Sequence, residues 1–157
     1  MRVGLTGHQD IPPQALEYVT RGINEVLDRV TDELVGVSSL AAGADQLFAS
    51  LVLDRGGRLA IVIPCRRYET TFSRPEDLTN FRTLLESAAS VETLSFDEPS
   101  EEAYLTAGCR VVDLSDVLLA IWDGQPARGK GGTGDIVEYA RRRATRLEIV
   151  WPKGITR

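Results

Sequence analysis

A glycine-rich turn, Asp123 to Gly132 (DGQPARGKGG), joins an apolar strand-like run (Val117–Trp122) to a helical pattern that carries Glu138. Glycines let a backbone approach a ligand closely, and the free N–H groups of a helix N-terminus favour an anion. Phosphate is the usual anion for such a device, so Gly131, Gly132, Thr133, Gly134 and Asp135 are candidate ligand-binding residues. Glu138 falls about one turn into the helix, where a side chain leans back toward the ligand. Two familiar phosphate motifs do not fit. Gly124-x-x-x-x-Gly129-Lys130 begins like a P-loop, but Gly131 stands where a Ser or Thr would hold magnesium. No G-x-G-x-x-G follows the first strand. No residue set calls for a metal or a cofactor.

Two further segments offer suitable groups. In Thr6-Gly7-His8-Gln9-Asp10, Gly7 permits a tight exit from a strand, while Thr6 and Gln9 present hydrogen-bonding side chains. His8 is the only histidine, and nothing in the sequence completes a catalytic triad around it. In Ser38-Ser39-Leu40-Ala41-Ala42-Gly43-Ala44-Asp45, small residues such as Ser39 and Gly43 leave backbone amides accessible. Asp45 has the chemistry to accept from a ribose hydroxyl, or simply to face a helix dipole. Arg66, Arg67 and Arg74 could pair with phosphate or sit solvated on a loop, and Arg141 to Arg143 complement a helix C-terminus.

These segments need a frame that brings them to one edge. Short apolar runs at Arg2–Thr6, Leu34–Ser38, Arg58–Ile63, Val91–Phe96, Val117–Trp122 and Leu147–Trp151 read as strands. Helical patterns near 13–30, 44–55, 75–88, 101–114 and 134–145 alternate with them. In the first, Leu16, Val19, Ile23, Val26, Leu27 and Val30 recur at helical spacing, and Pro12-Pro13 suits its opening. Such alternation predicts one doubly wound α/β domain, a mainly parallel sheet with helices on both faces, in the order 3-2-1-4-5-6. Ligands in such sheets bind beyond the carboxyl ends of the strands, where the order reverses.

The 157 residues suffice for one core, and the net charge of −5 argues against nucleic acid as the main partner. Cys65 and Cys109 form no metal-type spacing. With no signal-peptide pattern and no membrane-length apolar run, the expected location is the cytoplasm.

Four segments carry a family resemblance. Lys130 to Glu138 (KGGTGDIVE) resembles the Lonely Guy signature P-G-G-x-G-T-x-x-E, with Lys130 in place of proline and Asp135 in place of threonine. Ser38 to Asp45 is similar to the S-G-L-A-x-G-x-D segment of the DNA-processing branch, with Ser39 for glycine. Arg110 to Asp116 resembles the arginine-bearing helix ending in L-S-D, and Gly4 to His8 looks like a T-G-H start. In matching order, these segments resemble the SMF/LOG superfamily of Rossmann-like nucleotide-binding proteins. The resemblance implies a parallel sheet, a nucleotide-type ligand at the glycine turn and a homodimer. Lonely Guy-type members hydrolyse the N-glycosidic bond of nucleoside monophosphates with a Glu and an upstream Arg, roles that the resemblance carries to Glu138 and Arg110. The Met-His and Lys that accompany that Arg are absent, and Asp135 is placed to compete with phosphate for the same amides. The leading expectation is therefore a nucleotide-binding protein, the second a phosphoribohydrolase, and the third a single-stranded DNA-binding protein.

Overall fold

In the computed structural model, which describes residues 1–157, six parallel strands form one sheet. The strands are β1 (Arg2–Gly7), β2 (Val35–Ser38), β3 (Arg58–Cys65), β4 (Ser90–Phe96), β5 (Val117–Ile121) and β6 (Arg146–Val150). Between them run α1 (Pro13–Asp28), α2 (Ala44–Asp54), a 3-10 turn (Tyr68–Thr71), α3 (Pro75–Glu86), α4 (Glu101–Asp113) and α5 (Thr133–Arg142). Every residue of β5, Val-Leu-Leu-Ala-Ile, is buried, as befits a strand covered on both faces. Helices α1, α2 and α3 cover one face, packing Ile23, Phe48 and Phe81 with Leu5, Ile61 and Leu119. Helices α4 and α5 cover the other, with Val111, Val112 and Ile136 against Val37, Val62 and Leu118. No helix is long and apolar enough to cross a membrane.

The order is β4-β3-β2-β1-β5-β6, which corrects the expected 3-2-1-4-5-6 in one respect. β4 lies outside β3 instead of between β1 and β5. Helix α3 stays on the α1/α2 face, burying Phe81 and Leu84 there, so its crossover continues the sheet outward for one more strand. Helix α4 then crosses to the other face, and the chain resumes beside β1. β4 is an edge strand, most of whose side chains are exposed, Val91 by 50%. The reversal therefore falls between β1 and β5, whose carboxyl ends are Gly7 and Ile121.

Candidate functional site

Beyond that reversal the chain leaves β1 through His8 and β5 through Asp123. Their side chains form a buried cluster with Arg157. His8 Nδ1 lies 3.1 Å from Arg157 Nη1, and His8 Nε2 lies 3.2 Å from Asp123 Oδ1. Arg157 Nε donates to Asp123 Oδ2 at 3.2 Å. A guanidinium can only donate, so His8 Nδ1 accepts from Arg157. The Asp123 backbone N–H donates to His8 Nε2 at 3.0 Å, beside the same residue's carboxylate. Burial lowers the His8 pKa from 6.5, and the Arg157 charge lowers it further against the pull of Asp123. Burial works to raise the Asp123 carboxyl, yet the Gln125 amide, His8 and Arg157 outweigh it and hold it below the ordinary value. His8 and Asp123 together hold the Arg157 guanidinium at the sheet edge.

The loop after β2 closes against the loop after β1. Gly43 adopts φ +81°, and its Cα comes so near the other loop that an added Cβ would meet Gln9 O at 2.2 Å. Ala44 N–H donates to His8 O at 3.1 Å. Asp45 Oδ2 accepts from Ser38 Oγ at 2.9 Å and from Ser39 N–H at 3.0 Å, so this carboxylate ties the small-residue loop to the first turn of α2. Desolvation raises its pKa to about 6, against those hydrogen bonds.

That shift gives a stability prediction. An acid whose folded-state pKa lies above its unfolded value of about 3.8 binds more protons when folded between those limits. Its contribution is therefore fully present below pH 4 and is lost as pH rises through 6. Roughly two units correspond to about 3 kcal/mol. Asp45→Asn should remove this component, so the difference in urea-unfolding free energy between variant and wild type should shift in the variant's favour from pH 4 to pH 7.5. A constant difference would contradict it.

The glycine turn completes the wall. Gly131 adopts φ +86° and rests on α4, with an added Cβ 2.6 Å from Leu105 N. Ser100 caps α4 by accepting from Ala103 N–H at 3.0 Å, whereas α5 begins at Gly132 without any side-chain cap. Gly131 N–H is taken by Asp135 Oδ2 at 2.9 Å, the competition expected from the sequence. The amides of Thr133 and Gly134 donate to no protein group. Thr133 is only 7% exposed as a residue, and its hydroxyl, which lacks a protein partner, opens on the adjoining space.

These loops border an open cavity of about 500 Å³. Eight of the thirteen candidate site residues line it: Thr6, Gly7, His8, Ser39, Asp45, Gly131, Gly132 and Thr133. Gly43 lines a neighbouring cavity. Gly134 lies against Ala127, and Asp135 spends its carboxylate on Gly131. The two candidate catalytic residues are not brought together. Glu138 is exposed, because burying Ile136, Val137 and Ala140 turns it to the outer face of α5. Arg110 donates to Glu92 Oε2 at 2.9 Å on the surface. Arg66, Arg67 and Arg74 pair with Asp97, Glu98 and Glu76 in exposed ion pairs, the solvated alternative.

Other lining residues went unnoticed in the sequence. Tyr104, Ala107, Gly108 and Val111 of α4 face the cavity at helical spacing, a pattern that reads equally as core. Arg128 adds positive charge to that of Lys130, the residue standing in place of proline in the signature, and both are opposed by Glu101 of α4. Arg157 had no signal at all. No group of three His, Cys, Asp or Glu side chains is arranged to hold a metal ion.

No protein-family model matches the chain, and no curated protein matches it either. Solved structures do. DNA processing protein A from Helicobacter pylori, described for its single-stranded DNA binding mode, superposes with a TM-score of 0.69 at 17% identity, covering 95% of this chain and 64% of that one. DNA processing protein A from Streptococcus pneumoniae gives 0.67 at 17% identity, over 94% of this chain and 49% of that one. A protein designated TM1055 gives 0.58 at 12%, over 93% of this chain and 71% of that one. The chain therefore spans about two thirds and one half of the two DNA processing proteins. At these identities the likeness is one of architecture: the chain has the Rossmann-like fold shared by DNA processing protein A and TM1055.

Proposed function

We propose that this protein binds a nucleotide or nucleotide derivative, with a phosphate group at the start of α5. One observation carries the reading. The hydroxyl of Thr133, which opens on the cavity from a residue otherwise 93% buried, and the adjoining Thr133 and Gly134 amides all lack protein partners. Three unpaired donors facing one cavity at a positive helix end fit an anion. The cavity size lies within the range of small-molecule sites, roughly 300–1,000 Å³. Gly7, Ser39 and Asp45 line its far wall and suit the sugar.

AMP, GMP, CMP or UMP at about 100 times its Kd should stabilise the fold by about 2.7 kcal/mol, raising Tm by roughly 5–10 °C. Thr133→Val removes the hydroxyl while keeping the shape, and should weaken binding about tenfold, the value of one hydrogen bond to a charged group. No Tm response to any of the four at millimolar concentration would refute the reading.

Phosphoribohydrolase activity is the less supported alternative, since Glu138 and Arg110 stand outside the cavity. Base release from a nucleoside monophosphate that vanished in Glu138→Gln would reverse that ranking. The fold likeness to a single-stranded DNA-binding protein favours a further reading, which a salt-sensitive gel shift with an oligonucleotide would establish.

A further inference from the structure

The cavity at the glycine turn does not stand alone. A second cavity of about 530 Å³ adjoins it. The two share Gln9, Asp10, Ala41, Tyr68, Tyr104 and Arg157 as a common wall. Each is large enough for one nucleoside, so a mononucleotide leaves half of the cleft unused.

The second chamber has its own chemistry. Ile11, Pro12, Leu16, Leu47 and Phe72 contribute apolar surface to a lining that is otherwise mostly polar and includes Arg74. Phe72 is held by Tyr68 and Phe81, with ring centroids 5.4 and 4.9 Å away. Thr71, Ser73 and Asp77 supply hydrogen-bonding groups at its rim. Planar rings with polar edges match such a space, by stacking on the sides and bonding at the rim.

The junction carries the decisive features. Tyr68 is only 4% exposed and lines both chambers, yet its hydroxyl bonds to no protein group. Arg157 also borders both chambers, clamped by His8 and Asp123. Its Nη2 has only a 3.5 Å contact with Pro126 O, which leaves donors free. A fixed guanidinium facing a gap between two nucleoside-sized spaces is suited to a bridging phosphate.

We propose that the ligand is a two-headed nucleotide, two nucleosides joined through phosphate, with one nucleoside in each chamber and the bridge beside Arg157 and Tyr68. This rests on the nucleotide reading above and adds the ligand's class to it. The bridge lies between the α5 amides on one side and Arg157 on the other. The second base stacks against Phe72.

The test compares three probes by calorimetric titration of the whole chain: AMP, ADP and diadenosine diphosphate. ADP controls for the added phosphate. Diadenosine diphosphate should bind at least tenfold more tightly than ADP. Ala42→Trp, which fills the second chamber from a half-buried loop position, should abolish that gain while leaving ADP affinity within twofold. Phe72→Ala should reduce the same gain by removing the stacking wall, and it serves if Ala42→Trp does not fold. Equal affinities for ADP and diadenosine diphosphate in the wild type would overturn the two-headed ligand and leave the nucleotide reading standing. So would a gain that survives both variants. Failure of all three probes to bind would instead overturn the nucleotide reading, and the two-headed ligand with it.

Discussion

Gly43→Val should lower the melting temperature by roughly 10–15 °C. Gly43 sits at φ +81°, a conformation that β-branched residues avoid. An added Cβ would lie 2.2 Å from Gln9 O and 2.6 Å from Gln9 C, both backbone atoms with no side-chain freedom to yield. Backbone strain of about 1–3 kcal/mol and overpacking of similar size combine to about 3–5 kcal/mol. For a chain of this length each kcal/mol moves Tm by roughly 2–4 °C. The effect is large because Gly43 precedes α2, whose Ala44, Phe48 and Val52 are fully buried. The loops after β1 and β2 must separate or the helix must shift. Gly43→Ala meets the same clash with less bulk and should cost less. A Val variant melting within 2 °C of wild type would mean that the two loops are not in contact.

Gly131→Val should act on binding more than on stability. Its φ is +86°, and an added Cβ would meet Leu105 N at 2.6 Å and Glu101 O at 3.0 Å, the backbone of α4. Here the neighbour is a rigid helix, but Gly131 itself belongs to a surface turn with no fully buried residue between Gln125 and Gly132. The turn therefore yields, at a cost of about 1–2 kcal/mol. Its displacement breaks the Gly131–Asp135 hydrogen bond and moves Thr133 and its amide. AMP affinity, measured by titration, should fall at least tenfold. An affinity unchanged within twofold, in a protein folded to wild-type helicity by circular dichroism, would place the anion elsewhere.

The contrast between these two glycines bears on what could be read in advance. Both were singled out for their setting in small-residue loops after strands, where close backbone approach is common. Their partners, Gln9 in one case and α4 in the other, were not legible. Nor was the strand order. β4 was recognisable as a strand, yet its place outside β3 depends on which face α3 covers, and its neighbour pattern carries no such information. Glu138 is a different case. Burial of Ile136, Val137 and Ala140 at helical spacing already assigns Glu138 to the outer face. Its place one turn into the helix and the family signature both pointed it toward the ligand, and the burial of its neighbours prevailed. Leu16 erred the other way: it fits the apolar stripe of α1, but it is 47% exposed and lines the second chamber.

The residue order alone determined the alternation of strands and helices, the buried β5 and the uncapped glycine entry to α5, because each depends on side-chain period or backbone freedom within a few neighbours. Tertiary structure alone decided that His8, Asp123 and Arg157 meet, that Tyr68 stands between two chambers, and that Arg110 turns to Glu92 instead of the cavity. Those meetings join groups as far as 149 positions apart. Packing of helices on the two faces of the sheet brings them within hydrogen-bond range, and no local pattern encodes a distance of that kind.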